Sequence, residues 1–517
     1  MSLLANLVRT SQRVAITASR RAKVQELALF LKTLPADEIE TAVDYLSGEL
    51  PQGKIGIAYK ALHAAAESAE AASEEQLSIA EVDQSLTAVA AIRGTGSTAA
   101  RTSALQALFL RATHHEQEFL LRLIVGELRQ GALAGVMVDA IGAAAAIPVA
   151  LLRQAAMYSK SLGAVARAAL LEGAAALAKF QLELFKPASP MLAQTAADTA
   201  EALKELGGEA AFEWKMDGAR IQAHKVADEV RIYTRALNEV TLAVPEIAEA
   251  VRAFAAHTLV LDGEAIAFDG AGRPHPFQIT MRRFGRKLNV EAMRAELPIQ
   301  GFFFDCLHVG GKSITDLPTR ERFAALAESV PESMRVPRLV TSSESAAGDF
   351  YDAAISAGHE GLMAKSLQAP YEAGNRGASW FKIKRAHTLD LVVLAAEWGH
   401  GRRVGKLSNL HLGALDPATG EYVMLGKTFK GLTDVMLDWQ TKELLARETH
   451  RDQWTVYVRP ELVVEIAFSD LQVSPRYPAG LALRLARVKR YRDDKRSEDA
   501  DTLDSVRQIY AAQAGRP

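Results

Sequence analysis

Glu213-Trp214-Lys215-Met216-Asp217-Gly218-Ala219-Arg220 sets a lysine beside an acid and a glycine turn within strand-like sequence. Upstream, Ala211-Phe212-Glu213-Trp214 reads as an apolar strand, and downstream Arg220-Ile221-Gln222-Ala223-His224 alternates polar with apolar. Asp217-Gly218 therefore reads as the turn of a hairpin. Lys215 then stands at a strand end, facing whatever lies between the sheets. On these residues alone, a solvated strand lysine and a nucleophile both remain open.

With 517 residues, the chain has length for about three domains and real hydrophobic cores. Half of the residues are hydrophobic, a quarter are charged and the net charge is −2. This is the profile of a soluble protein, and it leaves room for a nucleic-acid partner, since binding depends on local basic surface rather than on the sum. The single cysteine, Cys306, excludes a disulfide framework and any zinc site built from two or more cysteines. It points to a reducing, cytoplasmic setting. The opening residues lack the apolar run of a signal peptide, and no segment offers the uninterrupted apolar stretch of a membrane span. The longest candidate, 140–152, contains Gly142 and Pro148 and reads as a buried helix pair.

Three compositional regions follow. Residues 1–185 carry apolar positions at spacings of three and four, as in Val24-Leu27-Ala28-Leu31, and read as an all-α domain. Within it, Gly94-Thr95-Gly96-Ser97 reads as an interhelical loop and His114-His115-Glu116 as a solvated helix face. Residues 186–386 follow the proline-marked junction Lys186–Met191 and mix short strands with helices, an α+β domain. Residues 387–517 hold several strands, among them Leu389–Leu394, Asn409–Ala414 and Val463–Phe468. They suggest an all-β barrel of the five-stranded oligonucleotide-binding (OB) type.

The middle region contains an ordered series of clusters. After Lys215 come Tyr233-Thr234-Arg235, Leu261-Asp262-Gly263-Glu264, Phe302-Phe303-Phe304-Asp305, Glu360-Gly361-Leu362-Met363-Ala364-Lys365 and Trp380-Phe381-Lys382-Ile383-Lys384. In this order they resemble the motifs of the covalent nucleotidyltransferases: ATP-dependent and NAD-dependent DNA ligases, RNA ligases and mRNA capping enzymes. Gly126–Gly131 is similar to the DNA-binding domain of the larger ATP-dependent DNA ligases, and Arg484–Lys495 resembles their last motif. The resemblance covers essentially the whole chain. It implies a helical DNA-binding domain, an ATP-grasp-like adenylation domain and an OB-fold domain.

The chemistry of such an enzyme accounts for these residue types. A lysine that attacks the α-phosphorus of ATP must be unprotonated, and a free lysine is neutral in only about one molecule in a thousand near neutral pH. Lys382, Lys384 and Arg220 are the cations expected to lower its pKa, with help from a metal and burial. The resemblance implies that Lys215 accepts AMP and that Glu213 lies near the adenine. Arg220 and Arg235 would hold ribose and phosphate, Glu264 the ribose or metal, and Phe304 would stack on the base. Glu360 would help bind Mg²⁺, and Arg376, Lys382 and Lys384 would contact the phosphates. Arg492, Asp494 and Lys495 would orient the pyrophosphate. The chain departs from many relatives at Leu485-Ala486-Arg487, where they carry Phe-Pro-Arg.

Gly310-Gly311-Lys312-Ser313 ends like a Walker A loop, but position 306 is Cys where that motif needs glycine, and Gly-Gly reads as a hairpin turn. The implied function is sealing of 5′-phosphate/3′-hydroxyl nicks in duplex DNA by a monomer using ATP and Mg²⁺, with no zinc and no membrane. The alternatives are a non-catalytic DNA-end-binding scaffold on a ligase fold and an RNA ligase.

Overall fold

The computed structural model describes residues 1–517 except 129, 131–133, 160, 271, 276, 286–288, 373–377, 385–386, 401–402 and 515–517. Two compact units divide the chain, Met1–Ile383 and Lys384–Pro517.

The first unit opens with helices α1 (Leu4–Ile16), α2 (Arg20–Leu31), α3 (Ile39–Ser47), α4 (Tyr59–Glu67), α5 (Ile79–Ala91), α6 (Ser97–Leu110), α7 (His114–Val125), α8 (Ala134–Ala145), α9 (Val149–Tyr158) and α10 (Leu162–Glu172). Their apolar faces meet in one core that includes Leu4, Leu27, Val43, Leu86, Phe109, Leu120 and Ile141. Helix starts are fixed by side chains, as in α5, where Ser78 and Glu81 cap each other's backbone. At α7, Glu116 Oε2 accepts from Thr113 N at 2.8 Å and Thr113 Oγ1 at 2.9 Å and is buried. The expected solvated face therefore holds only for His114 and His115. Glu116 is a capping acid, a role that Thr113-x-x-Glu116 signals in the sequence. Gly96 caps α6 at φ 78°, so the glycine loop before it is an interhelical turn. Pro148 separates α8 from α9, and among the described residues no helix is long and apolar enough to cross a membrane.

The rest of this unit builds two sheets from β1 (Gln194–Thr195), α11 (Thr199–Glu205), β2 (Ala210–Trp214), β3 (Ala219–Val226), β4 (Glu229–Thr234), α12 (Pro245–Arg252), β5 (Thr258–Ala267), α13 (Phe277–Phe284), α14 (Val290–Glu296), β6 (Ile299–Val309), β7 (Lys312–Ser313), α15 (Thr319–Ser329), β8 (Arg338–Thr341), α16 (Glu344–Ser356), β9 (Gly361–Lys365) and β10 (Trp380–Lys384). One sheet runs β1-β10-β9-β2-β8, the other β4-β3-β5-β6-β7. Gly310 and Gly311, both at positive φ, turn β6 into β7. The segment joining helices to sheets is pinned from behind β3: Phe185 N donates to His224 Nδ1 at 2.9 Å and Ala188 N to Gln222 Oε1 at 2.8 Å.

In the second unit, β11 (His387–Trp398) is the hub of a seven-stranded sheet. It pairs with β12 (Leu407–Leu415), which continues to β13 (Tyr422–Thr428), and with β15 (Thr455–Val458), which continues to β14 (Glu448–Arg451). It also pairs with β16 (Val463–Phe468), followed by β19 (Arg487–Tyr491). A hairpin of β17 (Asp470–Val473) and β18 (Leu481–Arg484) stands apart. Helices α17 (Asp434–Ala446) and α18 (Leu503–Ala514) correct the all-β expectation. The sequence carried the signal for α17, since Leu437, Thr441 and Leu444 fall on one buried face behind a Thr433 cap.

Candidate active site

β2 ends at Trp214, and the chain crosses to the second sheet, where β3 begins. β2 pairs with β8 and β9, whereas β3 pairs with β4 and β5. Lys215–Gly218 is thus a crossover between sheets, not the hairpin expected. Gly218 is required there by crowding: a side chain would begin 2.3 Å from Ala265 O and 2.9 Å from Glu264 Cγ. The crossover is tied to the start of β9, as Lys215 N donates to Gly361 O at 2.8 Å and Glu360 N to Lys215 O at 3.0 Å. These bonds set Lys215 Nζ 2.6 Å from Glu360 Oε2, with both side chains mostly covered.

Carboxylates, rather than the expected cations, dominate the charge at this lysine. Burial pushes its pKa down, but Glu360, Glu264 and Asp217 outweigh burial and hold it above the ordinary lysine value. Burial lifts Glu264 to about 8, against the pull of Lys215 and Arg220. Arg220 is turned inward: Nε and Nη2 donate to the two oxygens of Asp262 at 3.0 and 2.6 Å, Nη1 to Met191 O at 2.6 Å, and Nη2 to Tyr371 Oη at 3.4 Å. Of its five N–H groups, one has no partner among the described residues. Tyr371 Oη completes the cluster by donating to Asp262 Oδ2 at 2.7 Å.

A second charged layer lies beneath. Glu213 stands directly across β2 from Arg338 of β8 and Met363 of β9. Its Oε1 accepts from Arg338 Nε and Nη2 at 2.8 and 2.6 Å, and its Oε2 meets Lys365 Nζ at 2.5 Å. Lys365 Nζ lies 4.4 Å from the Phe304 ring and 4.2 Å from that of Trp380, and these rings meet edge-on. Trp380, Lys382 and Lys384 alternate along β10 and so share a face.

The structure therefore brings Glu213, Lys215, Arg220, Glu264, Phe304 and Glu360 together. Arg235 lies exposed in the turn after β4, and Arg376 falls outside the described residues. Sequence reasoning left Asp262, Arg338, Lys365 and Tyr371 without roles. Asp262 and Lys365 stand inside quoted motifs, but Arg338 and Tyr371 had no local signal. For a metal, Glu264 and Glu360 offer the hard oxygen donors that suit Mg²⁺. A separate trio, His114, His115 and Glu118, gathers ligand atoms within 4.8 Å. Glu118 is already engaged by Arg122, and the N-terminal end of α7 disfavours a cation.

Comparison with known proteins places the chain. Residues 190–384 match the ATP dependent DNA ligase domain, 403–495 the ATP dependent DNA ligase C terminal region and 55–142 the DNA ligase N terminus. A probable DNA ligase of Anaeromyxobacter dehalogenans is 58% identical over 98% of this chain and 99% of its own length. The chain belongs to the ATP-dependent DNA ligases. Probable DNA ligases of Sorangium cellulosum and Mycobacterium marinum are 52% and 51% identical, each over 98% of this ligase and 95% and 100% of their own lengths. The solved structure described as Pmar-Lig_PreS3 shares the fold, at TM-score 0.60 and 16% identity over 94% of this ligase and 99% of that chain.

In the ligase's second unit, Arg492 donates from Nη1 to Asp390 Oδ2 at 2.6 Å and from Nε and Nη2 to Asp494 at 2.8 and 2.7 Å, while Lys495 reaches Asp390 at 2.7 Å. Leu485 takes φ 56° and is exposed. Ala486 is buried and its carbonyl accepts from Thr428 Oγ1 at 2.6 Å.

Proposed function

We propose that this ligase seals 5′-phosphate/3′-hydroxyl nicks in duplex DNA through a lysyl-AMP formed on Lys215. The observation that carries the assignment to this lysine is its amine, on a side chain that stays 21% exposed at the meeting of the two sheets, 2.6 Å from Glu360. After Nζ loses a proton, for which Glu360 is the nearest acceptor, it attacks the α-phosphorus. The P–N bond forms as the bond to the pyrophosphate oxygen breaks. AMP then passes to the 5′-phosphate of the nick, freeing the amine. Attack by the 3′-hydroxyl forms the phosphodiester and expels AMP. Mg²⁺ held by Glu264 and Glu360 would neutralise phosphate charge and offset the carboxylates that keep Lys215 protonated.

Glu213 reads the adenine and Phe304 stacks on it. Arg220, through its last N–H, and Arg235 serve ribose and phosphate. Lys382, Lys384 and Arg376 neutralise the phosphates, where positioning and charge supply most of the catalysis. Arg492, Asp494 and Lys495 orient pyrophosphate. We divide the chain at 185 and 386 into helical DNA-binding, adenylation and OB-fold domains that grip duplex DNA as a monomer by phosphate contacts. Binding is then sequence-independent and weakens with salt.

The test incubates the protein with Mg²⁺ and either ATP or NAD labelled at the adenylate. A covalent adduct is expected from ATP alone and lost in Lys215→Ala. An adduct that survives that substitution overturns the assignment. Arg492→Ala is expected to slow adduct formation yet leave sealing of a pre-adenylylated nick intact, and impairment of both alike removes the pyrophosphate role.

A further inference from the structure

We infer that Arg338 makes this site select a 6-aminopurine over a 6-oxopurine, by holding two hydrogen-bond acceptors in fixed orientation beside the base. The inference rests on the reading that Glu213 and Phe304 meet the base. Arg338 is a positioning residue: it acts through those two groups.

One guanidinium serves both acceptors. Arg338 Nε and Nη2 donate to Glu213 Oε1, and Nη2 also donates to Phe304 O at 3.1 Å. Both donors converge on one oxygen, so Arg338 fixes Oε1, and the contact of Lys365 with Oε2 sets the carboxylate's rotation. The guanidinium itself lies over the Phe323 ring, 3.2 Å from its centre. Across the carboxylate, Lys365 occupies Oε2. An ionised carboxylate has about four acceptor sites. The two Arg338 bonds fill both sites on Oε1, and Lys365 meets Oε2 as an ion contact, so the remaining acceptor capacity lies on Oε2. That remaining site can only accept, and the same is true of the second lone pair on Phe304 O. An exocyclic amine, as in adenine, donates to such a pair of acceptors. The 6-oxo group of guanine would set an oxygen lone pair against them, and the contacts on both carboxylate oxygens keep the carboxylate from turning away. Register supports the design: Arg338 is the residue directly opposite Glu213 on the neighbouring strand, so the bond spans one strand spacing and needs no loop to form it.

The experiment follows adduct formation on Lys215 from ATP and from GTP, each labelled at the α-phosphate, in the full chain with Mg²⁺. In Arg338→Met the ratio of kcat/KM for ATP over GTP is expected to fall roughly 10- to 100-fold, the size of a lost charge-assisted hydrogen bond. The loss should sit in KM for ATP, with kcat at saturating ATP within about threefold of the parent. Arg338→Lys, which keeps a charge and loses the fork, should restore part of the ratio and guards against a Met variant that fails to fold. In Glu213→Gln the further loss from Arg338→Met should shrink, because both act on one contact. An unchanged ATP/GTP ratio in a folded Arg338 variant overturns the inference, as does an equal loss of kcat with both nucleotides. Failure of the parent protein to form any adduct from ATP is a different result, and it refutes the site reading instead.

Discussion

Lys215 follows the end of β2 and Lys365 ends the neighbouring β9, each against a glutamate, and their surroundings give them opposite character. Lys215 stands among Glu360, Glu264 and Asp217, which hold its pKa above the ordinary value. Lys365 is sealed in, sharing Glu213 with Arg338 beneath two aromatic rings, and burial holds its pKa below the ordinary value despite that glutamate. A low lysine pKa has been the expected signature of a nucleophile, yet here it marks the lysine that cannot reach solvent. The amine at the junction of the sheets is the accessible one, and acids keep it charged until other cations claim those acids. Accessibility and exchangeable partners separate the two residues better than basicity does.

The comparison breaks outright if Lys215→Ala leaves adduct formation in place. A fall of roughly 10³-fold or more is expected, with the unfolding free energy measured in urea unchanged within about 0.5 kcal/mol. Lys365→Met should do the reverse, costing on the order of 3 kcal/mol because it opens a buried ion pair. The folded variant should still form the adduct. Next in size is the pH profile. Because Lys215 starts protonated, its adenylylation at limiting ATP should rise with pH through the neutral range, and Glu360→Gln should move that rise to lower pH. A profile that moves upward would show that Glu360 is not what holds the proton.

A further test concerns Glu264, whose pKa burial lifts from the ordinary 4.5 to about 8. An acid shifted upward lowers stability progressively as pH rises from about 4.5 to 8, and the cost is constant above that range. Glu264→Gln should therefore raise stability at pH 9, with the gain fading toward pH 4. Equal melting shifts at both pH values would remove the burial argument.

Much of this site could be read along the chain because its parts are local clusters in a fixed order, each carrying residue types that phosphate chemistry needs. What stayed hidden depended on pairing between distant strands. Arg338 lies 125 residues from Glu213, and only the β2–β8 register makes them opposite. The Asp217-Gly218 turn misled for a related reason. Asp-Gly between two strands reports a sharp change of direction, but not whether the next strand returns to the same sheet. Arg220 shows the converse case, an arginine of the expected motif whose donors are largely spent on Asp262, Met191 and Tyr371. The helices of the second unit sit among strands of strong apolar alternation, and α17 is marked only by ordinary helical spacing and a threonine cap.

Gly218 touches Ala265 and Glu264 so closely that even a methyl group would have to wedge the strands apart. The gap between the sheets at the reacting amine is thus gauged by a missing side chain. The nucleophile and the acid facing it are clamped to a common frame, so an engineer wishing to widen the nucleotide slot could begin with a single carbon at this position.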